Sequence, residues 1–124
     1  MRFTTAFLAL ALLGAPMAAF AHGNMKPQHG GIVQMSGETV FELVVKPTSV
    51  ELYVSEDDEP VASSAATAKL TLTVAGKKTE LPLAAGAGNG FVGAGIKLPK
   101  GATVGVTVVD KASGAKTFTT YTLK

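Results

Sequence analysis

The chain has 124 residues, no cysteine, no tryptophan and a formal net charge of +2, a length that suits one small domain. Without cysteine there is no disulfide framework and no thiol chemistry. The lysines are scattered rather than gathered into a basic stripe with aromatics between them, which excludes a nucleic-acid groove.

The first segment reads as an address. Arg2 precedes the apolar run AFLALALLGAPMAAF, residues 6–20, and Ala19-Phe20-Ala21 puts small residues where a signal peptidase reads. Cleavage after Ala21 is expected, giving a signal peptide over 1–21 and a single domain over 22–124. The run is short for a spanning helix and has no stop-transfer flank. No cysteine sits at the cut, so no stable membrane anchor is expected after cleavage. An exported chain without cysteine suits a bacterial periplasm.

Short strands separated by turn residues follow, with no helical period. Gly31 to Met35 forms a first strand, closed by Ser36-Gly37-Glu38. VFELVVK, residues 40–46, stops at Pro47-Thr48. In SVELYVS, Val50, Leu52 and Val54 alternate with Glu51 and Tyr53, as in a half-buried strand. Glu56-Asp57-Asp58-Glu59-Pro60 is a polar corner. KLTLTV and TELPL flank Gly76-Lys77 as a hairpin, with Leu81 and Leu83 facing inward. AAGAGNG, residues 84–90, reads as a flexible loop.

A strand over Phe91 to Leu98 contains Gly93 and Gly95, which suggests an edge or irregular strand. Thr103 to Val109 places Val104, Val106 and Val108 on one face. In the last strand, KTFTTYTLK, Phe118 and Tyr121 disagree in parity, so a bulge or change of face is expected. The pattern as a whole predicts an all-β fold, an antiparallel immunoglobulin-like β-sandwich of seven or eight strands.

Both histidines of the chain fall within AFAHGNMKPQHGG, residues 19–31. Cleavage after Ala21 makes His22 N-terminal, so its α-amine and its imidazole Nδ1 can chelate one ion together. His29 is the only other imidazole available and would supply a third nitrogen. Such a set suits Cu(II), which favours nitrogen donors in a tetragonal plane. The amine deprotonates readily, with a reference pKa of about 8. Met25 and Met35 add thioethers, soft donors suited to Cu(I) or Ag(I). The expected metal ligands are therefore His22, Met25, His29 and Met35, although a methionine at a strand end also fits a core position. Gly23, Gly30 and Gly31 let the backbone bend around an ion.

Other chemistry finds little support in the sequence. The acidic corner lacks the ligand spacing and turn glycine of a calcium loop. There is no G-x-S-x-G elbow, and AAGAGNG precedes no helix that could cradle phosphate. No enzyme is expected.

HGNMKPQHGGIVQ, followed by FELVV, VELYV and EDDEPV, resembles small exported bacterial proteins and adaptor-protein domains associated with heavy-metal efflux. The resemblance covers roughly residues 22–61, with His22 and His29 as the opening histidines and Met25 as the soft position between them. It implies periplasmic handling of copper or silver as a carrier, buffer or accessory, with an efflux-pump component as partner. A looser resemblance is to periplasmic copper-resistance β-sandwich proteins, but their methionine-rich loop and late histidine are missing here. The alternative expectation is a non-metal accessory or adhesion-type interaction module that pairs through the Gly93-Ala94-Gly95 edge.

Overall fold

The computed structural model describes residues 26–124. The expected signal peptide, His22 and Met25 lie outside the described residues. The strands are β1 (Ile32–Ser36), β2 (Thr39–Lys46), β3 (Ser49–Glu56), β4 (Glu59–Pro60), β5 (Ala66–Val74), β6 (Lys77–Ala85), β7 (Gly90–Ala94), β8 (Thr103–Asp110) and β9 (Lys116–Thr122). Two-residue connections join β1 to β2, β2 to β3, β3 to β4 and β5 to β6. In two of these turns both residues have positive φ, Asp57 and Asp58 (53° and 66°) and Ala75 and Gly76 (51° and 80°). Such left-handed pairs match the right-handed twist of the strands they connect.

The expected immunoglobulin-like sandwich is corrected by the strand order. The nine strands form one nearly closed antiparallel barrel, with hydrogen-bonded order β1-β2-β3-β7-β6-β5-β8-β9 and β4 added beside β3. The joint that makes a single sheet is β6, which pairs with β5 along most of its length and with β7 through Ala84↔Val92 and Ala85↔Phe91. Those two alanines belong to the stretch expected to be a flexible loop. They extend β6, and the rest of the stretch is held by hydrogen bonds: Gly86 N–H donates to the Gly90 carbonyl at 2.8 Å, and the Ser63 hydroxyl to the Gly86 carbonyl at 2.7 Å. At the ends of the path β1 and β9 lie alongside one another without forming a ladder.

The alternating residues fill the barrel. Phe41, Leu43, Val50, Leu52, Leu70, Phe91, Val104 and Val106 are almost wholly buried. Tyr121 joins them, and its hydroxyl donates to the Phe41 carbonyl at 3.0 Å, tying β9 to β2 across the seam. Burial pushes the Tyr121 phenol well above its ordinary value.

Two further expectations change. β9 pairs with β8 in unbroken register, so there is no bulge. Phe118 instead faces outward, 54 % exposed, over Gly105, where a Cβ would stand 3.1 Å from its ring. The strand expected over Phe91 to Leu98 ends at Ala94 and lies between β3 and β6, so it is not an edge strand, although its pairing with β6 stops at Phe91 and Val92. Gly93 is required by packing, because a Cβ there would come within 2.5 Å of Ile96 and 2.8 Å of Val50.

Replacing Tyr121 by Phe removes the tie across the seam while keeping the ring. Urea unfolding is expected to show a loss of about 1 kcal/mol, the net worth of one buried hydrogen bond, with the folded circular dichroism spectrum unchanged.

Candidate functional site on the outer face of β1, β2 and β3

Strand register assigns faces in this part of the barrel. Directly paired residues share a face, so Val33 and Met35 of β1, Val40, Glu42 and Val44 of β2, and Glu51, Tyr53 and Ser55 of β3 all point outward. Glu42 is nevertheless only 5 % exposed. Residues 26–31 fold back over this face and cover it.

The Glu42 carboxylate holds that segment in place. Oε1 accepts the Gln28 N–H at 3.0 Å, and Oε2 accepts the His29 and Gly31 N–H groups, each at 2.8 Å. The fourth donor is the His29 ring, whose Nδ1 lies 3.0 Å from Oε1. Burial alone would push this carboxyl up; the His29 ring and the three backbone N–H groups outweigh it and hold the carboxyl below its ordinary value. An ionised carboxylate offers only acceptors, so the facing Nδ1 carries the proton. In the neutral imidazole the lone pair then resides on Nε2, for which no partner occurs among the described residues.

Tyr53 fixes the plane of that ring. The two rings stack with centroids 3.6 Å apart and planes within 3°. The Tyr53 hydroxyl donates to Glu51 Oε1 at 2.9 Å, and Lys46 Nζ to Glu51 Oε2 at 3.0 Å. Lys46 and Tyr53 together hold the Glu51 carboxyl below its usual range, while burial and the Glu51 hydrogen bond raise the Tyr53 phenol. A cleft of about 220 Å³ opens beside the stacked pair, bounded by Lys26, His29, Glu42, Tyr53, Asp58 and Asn89.

Of the four expected metal ligands, His22 and Met25 lie outside the described residues. His29 occupies the centre of the site. Met35 is half-buried on the same outer face, and its cross-strand partner Val40 lines the cleft. Its position is therefore not in the barrel core. Among the described residues no group of three or more His, Cys, Asp or Glu side chains is placed to hold a metal ion. The described part of the chain thus holds two of the four expected ligands, His29 and Met35. Glu42 and Tyr53 escaped the sequence reading. The available signal was an acid inside the apolar run VFELVV, beside a glycine-flanked histidine segment that needed an acceptor.

No known protein family, curated protein or solved structure matches this chain. No helix among the described residues is long and apolar enough to cross a membrane.

Gly31 is what allows the segment to lie so close. A Cβ there would stand 2.5 Å from the Leu43 carbonyl oxygen and 2.9 Å from Val44 Cγ2. Gly31→Ala is expected to lift residues 28–31 from β2 and cost about 1–3 kcal/mol, the usual penalty of overpacking. Amide exchange should then accelerate at Gln28 and His29 and remain slow in β5 and β8. Acid should act on the same contacts. Because the native Glu42 value is depressed, its stabilisation is complete above the ordinary 4.5 and is lost as pH falls through the lower native value. Exchange at Gln28, His29 and Gly31, corrected for intrinsic rates, should report this loss below pH 4.5 and no change above it, and Glu42→Gln should abolish the transition.

Proposed function

We propose that this chain is an exported carrier or buffer for copper or silver ions, which handles its cargo through the N-terminal segment and passes it to a periplasmic efflux-pump component. The observation that carries the reading is the His29 imidazole. Histidines that bind metals commonly donate the other ring N–H to a carboxylate, which sets the tautomer and raises the basicity of the ligating nitrogen. Glu42 stands in that relation to Nδ1, and Tyr53 fixes the ring plane, so Nε2 is the oriented donor.

The donor types match the cargo. Imidazole suits Cu(II), and thioethers suit Cu(I) and Ag(I). Met35 offers one thioether from the same face as His29. His22 and Met25, close before His29 in sequence, would supply an amine, a second imidazole and another thioether. A site closed by a terminal segment exchanges ligands without opening the barrel, which suits hand-off rather than storage. The likeness of HGNMKPQHGGIVQ to heavy-metal efflux proteins and the signal-peptide pattern supply the periplasmic setting.

The test is titration of the chain beginning at His22 with Cu(II) and Ag(I), followed by calorimetry. His29→Ala should weaken binding at least tenfold. Glu42→Gln should weaken it by about 10–100-fold, the usual effect of removing an outer-shell partner. One residue added before His22 should weaken Cu(II) far more than Ag(I), because it removes the amine chelate. Failure of the native chain to bind either ion, or unchanged affinity in His29→Ala, would overturn the reading.

A further inference from the structure

Another opening lies at the end of the barrel, away from the imidazole. Ile32 pairs with Leu43, and Val45 pairs with Val50, and both of these partners are wholly buried. By register Ile32 and Val45 therefore face the interior. Yet Ile32 is 46 % exposed and Val45 39 % exposed. Two inward residues left bare at the same end mean that the barrel is not plugged there. The opening is a groove of about 760 Å³ whose wall continues through Leu98 to Leu123, a core residue only 6 % exposed. Its volume falls within the roughly 300–1,000 Å³ of small-molecule sites, and barrel mouths are a frequent place for them.

Charge distinguishes this mouth from an ordinary apolar gap. Lys46, Lys97, Lys100 and Lys124 stand around it, and no Asp or Glu side chain lines it. Lys46 is paired with Glu51. The ammonium groups of Lys97, Lys100 and Lys124 make no ion pair among the described residues. Lysine stems can lie along apolar surface while their heads stay in water, so Lys97 and Lys100 offer positive charge at the rim of an apolar floor. A ligand complementary to both has an apolar chain and a single anionic head. The apolar floor continues from Ile32 and Val45 to Leu98 and Leu123, a length of apolar surface that suits a single alkyl chain.

We propose that the barrel mouth binds a free long-chain carboxylate, with the alkyl chain on Ile32, Val45, Leu98 and Leu123 and the carboxylate between Lys97 and Lys100. This site is independent of the metal reading. It uses none of the residues proposed as metal ligands, and either activity can fail without the other.

The test uses the full mature chain and a series of saturated carboxylates from octanoate to dodecanoate, each below its micelle concentration, read by calorimetry. Saturable binding of one molecule per chain is expected, with affinity rising about three- to fourfold per added methylene, the increment for burying a CH2 group. Lys97→Ala combined with Lys100→Ala should weaken dodecanoate at least tenfold and leave dodecanol unchanged. Both positions are exposed, so an unaltered thermal midpoint is expected and separates loss of the site from loss of the fold. Ile32→Asp should abolish the dependence on chain length. Absence of dodecanoate binding overturns the proposal. So does equal binding by the lysine variant, or retention only on vesicles of anionic phospholipid with no binding of the free carboxylate.

Discussion

The arrangement of the functional face depends on one buried carboxylate. Glu42 points away from the barrel core and would sit in water if β2 were uncovered. Instead it takes hydrogen bonds from three backbone N–H groups and one imidazole of residues 28–31. Hydrogen bonds to a charged acceptor are about twice as strong as neutral ones, and a buried carboxylate without them would be strongly destabilising. The segment and the acid thus require each other. The strand places the carboxylate, the carboxylate orders the segment, and the ordered segment gives His29 one orientation and one tautomer.

The cleft and the mouth are built on the same β-hairpin but by opposite means. At the cleft, outward residues are covered by a segment that folds back; at the mouth, inward residues are left uncovered by the strands that end there. A run of direct contacts joins the regions. Lys46 at the mouth pairs with Glu51, Glu51 accepts the Tyr53 hydroxyl, and Tyr53 stacks on His29. Polar groups on the outer surface of β2 and β3 are therefore engaged along most of its length.

Strand positions and faces were largely legible in the sequence. The alternation in SVELYVS and in Thr103 to Val109 named the buried residues correctly, and glycine and proline turns marked the hairpins. What alternation does not encode is which strand pairs with which. A barrel and a sandwich need the same half-buried strands, and here the difference rests on two alanine pairings made by Ala84 and Ala85 in a stretch that composition marks as a loop. The glycines of β7 misled for a related reason. Close packing of Gly93 against Val50 and Ile96 in the interior asks for the same residue as an exposed edge does. At the site, His29 and Met35 could be named because their donor atoms are rare in this chain. Glu42 and Tyr53 look like ordinary strand residues until the fold-back of residues 26–31 brings a histidine onto them.

The tie between Tyr121 and Phe41 spans 80 positions along the chain, and its consequence is kinetic. Local hairpins such as β5 with β6 can zip within microseconds, but the barrel takes its nearly closed form only when its two most distant segments meet. High sequence separation of this kind slows folding. Until the two ends meet, β1 and β9 are both uncovered, the form of the molecule most open to strand exchange between copies. A chain with no cross-links to hold intermediates together is therefore most vulnerable to aggregation in the interval before its last strand docks.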